Sequence, residues 1–398
     1  MMRRVLMMTG GRGPVIPVVP QYTGFIAARG HMPLTFNAAH KQANSRCPLW
    51  IRESVTSLQV IIPNFMMAAT SPYAEAGSGA ALGITASIEY PAGTRTQVLF
   101  SGIAQGSVPD GEFLVSDPVS ITIPANSLIG LKTYQTSTAG VWSINLPMGS
   151  FTGSGIDSRF TSAASGLSDQ TMSASVGSQS STNFAPLGII GTTTRPSFII
   201  VGDSISYGQS DATAVDATGD FGSVARSLGS YYGYTNLSRS GHQANKFISS
   251  HTQSVGLFQY ASHLLCAFGS NDLYTLGSSA AVALGNLQTI WGYMTALGGG
   301  RKAYQTTITP RTTSSDGWQT TANQTKTSGD DKRLTLNASI RGLATGLDGY
   351  FDIADAIESA RDSGFWTPSP SSNYYTSDGT HPNTPGYLLI RDSRKVVL

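Results

Sequence analysis

From about residue 195 to the end of the chain, short apolar runs of strand type alternate with helical stretches, and this alternation constrains the fold more than any other feature. Residues 197–201 (Ser-Phe-Ile-Ile-Val) read as a buried strand, followed by helical character around 221–232. A short strand near 234–238 and a helix after Gly241 come next. A third strand at 263–268 precedes a long helix at about 279–297. A fourth strand near 303–307, a helix near 331–343, a fifth strand near 350–353 and a helix from about Thr384 complete the series. Strands that return parallel to one another need crossovers, and a right-handed helical crossover is the one that packs back onto a twisted sheet. Five such units predict an α/β domain over 194–398, with a parallel sheet covered by helices on both faces. Ligands of such sheets bind at the carboxyl ends of the strands.

The first half of the chain follows another pattern. Short alternating or β-branched runs at 57–62, 81–90, 96–100, 119–123, 129–134 and 141–146 are split by turn residues such as Pro91, Pro109-Asp-Gly111 and Pro124-Ala-Asn126. Repeated short strands with frequent turns predict an antiparallel β-sandwich or jelly roll over 41–150. Residues 1–40 carry Pro14, Pro17 and Pro20 without a clear period, which predicts an extended arm. Residues 151–193 are dominated by Ser, Thr and Gly and read as a linker.

Composition excludes several classes. Charged residues make up 12% of the chain, about half the usual share. The net charge is +2 and no Lys/Arg run could neutralise a line of phosphates, so nucleic acid is not an expected partner. The apolar stretch behind Arg3 and Arg4 stops at Met8, short of a signal-peptide core. No run approaches the ~18 apolar residues of a membrane helix. Cys47 and Cys266 fall in different halves; Cys266 lies in an apolar run and reads as a small buried side chain.

Four short segments in the second half carry chemistry. Gly202-Asp203-Ser204 follows the first strand and puts a hydroxyl, with its own backbone N–H, at the crevice. After the second strand, Asn236-Leu-Ser-Arg-Ser-Gly241 offers a glycine whose N–H can approach a ligand closely. After the third, Gly269-Ser270-Asn271-Asp272 offers a side-chain amide. Asp378-Gly-Thr-His381 places a carboxylate three residues before an imidazole, which it can orient and stabilise in its charged form. Each segment alone has a bland explanation as a cap or a turn. Their order on consecutive strand ends does not.

These residues resemble the blocks of the SGNH (GDSL) hydrolase family, which carry Ser, Gly, Asn and His. The matches are Ser204, Gly241, Asn271 and His381, with Asp378 in the acid position. The resemblance covers 194–398 and implies a flavodoxin-like five-stranded sheet. It further implies Ser204 as nucleophile, His381 as base, Asp378 as its orienting acid, and an oxyanion hole formed by Ser204, Gly241 and Asn271. No H-E-x-x-H, paired C-x-x-C or Walker phosphate loop is present, so no cofactor and no metal are expected. Two positions depart from the pattern: Ser238 stands where the second block usually has another Gly, and His242, a large polar residue, follows Gly241. His242 reads as a solvent-facing loop histidine or, alternatively, as a substrate contact; Trp366, Tyr374 and Tyr375 read either as substrate contacts at the mouth of the site or as the packing of a Pro-rich loop. His31, His40, His251 and His263 have no carboxylate at a useful spacing and are expected to be structural or exposed.

The leading expectation is a serine esterase that removes acyl groups, above all acetyl, from a carbohydrate. A structural or receptor-binding component of a phage particle is a rival from another class, suggested by the proline-rich arm. Acyl transfer to a sugar would use the same residues. The low-charge, Ser/Thr/Gly-rich composition suits an extracellular or virion-associated protein, and the arm suggests homo-oligomer or particle neighbours.

Overall fold

The computed structural model describes residues 21–398 apart from 69, 71–72, 145–154, 175 and 213–219. Within it, Ser197–Gly202 runs through the middle of a parallel sheet. Gly233–Asn236 lies on one side of it, and His263–Ala267, Lys302–Thr306 and Gly349–Phe351 follow on the other. Numbered along this half of the chain, the strands stand in the order 2-1-3-4-5, and the crevice opens where the first and third strands adjoin. Alternation along Ser197–Gly202 explains its unbroken apolar run. Ile199 and Val201 face a core with Leu287, Trp291 and Leu336, while Phe198 and Ile200 face Val224, Ile357 and Tyr387 on the other side. A strand buried on both faces has no polar side to show.

The sheet has six strands rather than the expected five. Gly30–His31 adds in parallel to Gly233–Asn236, with His31 opposite Asn236. A Cβ on Gly30 would stand 2.5 Å from the Leu187 carbonyl oxygen, so glycine is what lets this strand in.

The N-terminal half is built on two main antiparallel sheets, with two-stranded ribbons at Thr35–Asn37/Val141–Ser143 and Phe65–Met67/Glu75–Gly77 beside them. In one, Tyr22–Phe25, Gly188–Thr193 and Val55–Pro63 lie side by side, and Val55–Pro63 also pairs with Phe113–Val115 and Val119–Ile123. In the other, Leu82–Glu89, Ser127–Thr136 and Gln42–Ile51 form the centre. Leu49 and Ile51 from the second sheet meet Val60 and Ile62 from the first in one core.

Residues 21–40 therefore do not form an arm, and 155–193 do not form a linker. Phe25, Ile26 and Met32 are fully buried, and Gly188–Thr193 is an inner strand of the first sheet. The rest of the expected arm, 1–20, lies outside the described residues. The sheet holding these strands is itself covered on both faces. Val60 and Ile62 point into the sandwich, while Ile61, Phe25 and Ile190 join the core of the C-terminal half beside Phe247 and Phe258. Each large apolar side chain buried there contributes about 1.5–3 kcal/mol, which ties the two halves together more firmly than a flexible tether could. Cys47 and Cys266 are both buried and unpaired. Among the described residues no helix is long and apolar enough to cross a membrane.

Candidate active site

The first strand ends at Gly202, where a Cβ would stand 2.2 Å from the Ser206 Oγ and 2.9 Å from the Ala267 Cβ. Asp203 then caps a one-turn helix, Ser204–Tyr207, accepting the Ile205 N–H at 3.0 Å. Ser204 thus begins the helix at the carboxyl edge of the sheet.

The second loop is stitched to the first. Arg239 N–H donates to the Gly202 carbonyl at 3.1 Å, and Asn236 Nδ2 donates to the Ser206 carbonyl at 3.0 Å. Ser206 Oγ donates to Ser238 Oγ at 2.8 Å. The departure at position 238 therefore adds a bond between loops. Gly241 has φ +80°, the left-handed region that favours glycine. The backbone N–H groups of Ser204 and Gly241 meet no acceptor among the described residues. From the third loop, Asn271 Nδ2 donates to the His242 carbonyl at 3.0 Å, and both Asp272 oxygens accept the Ala244 N–H at 3.0 and 3.2 Å. An amide nitrogen has two hydrogens, so one from Asn271 is left over.

The fourth segment closes the set. Asp378 Oδ1 accepts the N–H groups of Thr380 and His381, each at 2.8 Å, and Oδ2 accepts His381 Nδ1–H at 2.6 Å. The other ring nitrogen, Nε2, stands 2.7 Å from Ser204 Oγ and accepts its proton. Gly379, at φ +69°, presses against Thr312; its carbonyl accepts the Thr312 N–H at 3.1 Å and the Trp366 indole N–H at 3.0 Å. Hydroxyl, imidazole and carboxylate, separated by up to 177 positions in the chain, form one hydrogen-bonded line.

Charge follows from these contacts. Burial alone would raise the Asp378 carboxyl, but the bonds from the His381 ring and from the His381 and Thr380 N–H groups outweigh it. They hold Asp378 well below the usual carboxylate range. Asp203, almost wholly enclosed, is pushed up to about 6 by burial, against the Ile205 N–H and the nearby His381.

Arg311, which sequence reasoning passed over, lies between the third loop and the His381 turn. Its guanidinium is 3.5 Å from Asn271 Oδ1 and stacks 4.9 Å from the Tyr274 ring. Burial holds it below its ordinary value, against the attraction of Asp203, Tyr274 and Asp378. A donor on the Asn271 carbonyl oxygen turns the amide nitrogen the other way. The available signal was position: Arg311 follows the carboxyl end of the fourth strand, one loop beyond the three strand ends that carry the motif residues.

The expected substrate contacts fare differently. His242 is fully buried among His251, Phe247 and Phe268, and its Nε2–H donates to the Tyr73 carbonyl at 3.1 Å. Burial pushes it down to about 4, and no surface remains for a substrate. Trp366 is also fully buried and supports Gly379. Neither is a substrate contact, and His242 does not face solvent: the loops that carry these side chains fold inward onto apolar neighbours, which leaves packing as the role of Trp366. Tyr374 is exposed and Tyr375 half-buried, packed edge-to-face at 5.0 Å in the loop leading to the Asp378 turn. His31, His251 and His263 are buried or half-buried, and His40 bonds Ser162 Oγ at 2.7 Å.

A parallel sheet with serine, imidazole and carboxylate in line at its switch point defines the class: an α/β domain with a serine-centred site. Residues 200–389 match the model of the GDSL-like Lipase/Acylhydrolase family. Among solved structures, the chain is similar to a carbohydrate esterase family 3 protein from Talaromyces cellulolyticus. The identity is 17% over 50% of this chain and 93% of that one, with a TM-score of 0.33. It is similar to Est24, a carbohydrate acetylesterase from Sinorhizobium meliloti, at 14% identity over 50% and 97%, TM-score 0.33. A peptidoglycan O-acetylesterase aligns over 97% of this chain and 78% of its own at 9% identity, TM-score 0.40. No curated protein matches.

Proposed function

We propose that this protein is a carboxylic-ester hydrolase that works through an acyl-enzyme on Ser204 and removes acetyl groups from a carbohydrate. The observation that carries the hydrolase chemistry is the line Ser204 Oγ to His381 Nε2 at 2.7 Å and His381 Nδ1 to Asp378 Oδ2 at 2.6 Å. Ser204 Oγ attacks the ester carbonyl as its proton passes to His381 Nε2, and Asp378 stabilises the imidazolium that forms. The oxyanion takes hydrogen bonds from the Ser204 and Gly241 N–H groups and from the remaining amide hydrogen of Asn271. His381 then gives its proton to the departing alcohol. Water, deprotonated by His381, attacks the acyl carbon and releases the carboxylic acid and free Ser204. A sugar hydroxyl in place of that water would give acyl transfer with the same residues.

The carbohydrate assignment is supported by chemistry of the chain rather than by the triad: a low-charge, Ser/Thr/Gly-rich composition suits a neutral polyhydroxyl partner. The test is an ester panel from acetate to octanoate, with acetate release from an acetylated polysaccharide beside it, on wild type and Ser204→Ala. Wild type is expected to prefer acetate, and Ser204→Ala to lose about 10⁴-fold or more in kcat. Equal release by both proteins would end the proposal.

A further inference from the structure

One hairpin of the antiparallel half reaches the second loop of the site. Phe65–Met67 and Glu75–Gly77 form a hairpin, with Phe65 opposite Gly77 and Met67 opposite Glu75. Phe65 and Met67 are fully buried in the core that also holds Ile199 and Val201. The hairpin is thus rooted in the C-terminal half, and its connecting segment carries Tyr73 to the second loop of the site.

Three contacts fix Tyr73 there. Its carbonyl accepts the His242 Nε2–H at 3.1 Å. Two residues on, the Glu75 carboxylate accepts the N–H groups of Gln253 and Ser254 at 2.9 and 2.7 Å. The Tyr73 ring lies across Gly241: a Cβ there would stand 3.3 Å from the phenol oxygen and 3.4 Å from Cε1. The backbone of Tyr73 is left-handed, at φ +57°, and its N–H donates to the Thr70 carbonyl. Surroundings that impose such a conformation on a bulky residue also fix where the side chain goes.

The hydroxyl of Tyr73 has no such anchor. Tyr73 is half-buried, and its phenol oxygen is neither sealed in the interior nor bonded to another described residue. A donor and an aromatic edge therefore stand free beside the glycine whose N–H is assigned to the oxyanion. An acetyl methyl has no use for a hydrogen bond. A sugar ring has hydroxyls for the phenol and C–H faces for the ring.

We propose that Tyr73 contacts bound substrate: the antiparallel half supplies one wall of the site, on the Gly241 side, and the Tyr73 hydroxyl hydrogen-bonds a sugar hydroxyl on the alcohol portion of the ester. This inference rests on the ester-hydrolase reading above. It makes Tyr73 a specificity-determining residue that neither the family blocks nor the C-terminal half contains.

The experiment compares wild type, Tyr73→Phe and Ser204→Ala on p-nitrophenyl acetate and on a panel of partially acetylated oligosaccharides. Tyr73→Phe keeps the ring on Gly241 and the backbone bond to His242, so folding is not at issue; a melting curve checks it. The ratio of kcat/KM on sugar acetates to kcat/KM on the aryl acetate is expected to fall about five-fold, through KM, as for one lost neutral hydrogen bond. An unchanged ratio, or an equal fall on both substrates, would overturn the inference and assign Tyr73 a packing role. Wild type that cleaves the aryl acetate but none of the sugar acetates would also overturn it, leaving the hydrolase reading intact. Wild type inert on every ester, or Ser204→Ala as active as wild type, would sink the parent reading instead.

Discussion

Two histidines sit in loops at the carboxyl edge of the parallel sheet, and their surroundings give them opposite chemistry. His381 has one ring nitrogen on the Asp378 carboxylate and the other on the Ser204 hydroxyl, with some of its side chain open to solvent. His242, one residue beyond Gly241, is fully buried; one nitrogen meets a neutral carbonyl and the other meets nothing among the described residues. A proton on His381 would be stabilised by a full negative charge 2.6 Å away. A proton on His242 would be stranded among Phe247, Phe268 and a second imidazole, His251. Proximity to the site does not make a histidine a base. A carboxylate partner does.

The sharpest way to break this contrast is to remove the carboxylate and keep its shape. Asp378→Asn retains hydrogen-bonding capacity in the turn but loses the charge that favours the imidazolium. The expected loss in kcat on p-nitrophenyl acetate is about 10²–10⁴-fold, with the smaller end favoured by the half-open position of Asp378. A loss below about three-fold would show that His381 works without its partner, and the contrast with His242 would then rest on burial alone.

A second, smaller effect tests the buried side of the comparison. Burial pushes His242 to about 4 and, with His242 beside it, His251 to about 3, whereas an unfolded chain holds them near 6.5. Between those values the unfolded state binds more protons than the folded state, so stability rises with pH. Their contribution is fully present above about pH 6.5 and is lost as pH falls toward 4. Asp203, raised to about 6, acts in the opposite sense, so the informative quantity is the difference between proteins. Melting temperatures of His251→Phe are expected to decline less from pH 7 to 4 than those of wild type. Parallel declines would mean that the pocket admits the proton without penalty.

What could be seen in advance divides along the same physical line. Ser204, Gly241, Asn271 and His381 were visible because each lies in a short segment whose position follows from the strand before it or the helix after it. The central strands were visible because a strand covered on both faces is apolar throughout, as Ser197–Gly202 is. Gly30–His31 and Gly188–Thr193 were not. The first is too short to show a pattern, and the second is two-thirds Gly and Thr; both are held by partners that local sequence does not name. Burial of His242 and Trp366 was equally hidden, because the covering groups come from Tyr73 and from the segment around Thr312 and Gly379. Polar residues beside a site look alike in sequence whether they face substrate or core.

Trp366 offers the finest cut between those two fates. It touches neither Ser204 nor His381 by any hydrogen bond; its indole N–H holds the Gly379 carbonyl, in the turn between Asp378 and His381. Trp366→Phe keeps an aromatic ring in the buried position and deletes that one donor, while the Thr312 N–H stays on the same carbonyl. The turn should loosen rather than collapse. A net hydrogen bond of about 0.5–1.5 kcal/mol corresponds to a kcat about 3- to 10-fold lower if the bond acts by holding His381 in line, with KM nearly unchanged. Some loss of melting temperature will accompany it from the smaller ring, so the rates must be taken well below the transition. A variant with a lower melting temperature but full kcat would mean that the backbone contacts of Gly379 suffice to aim His381, and that Trp366 is core and nothing more.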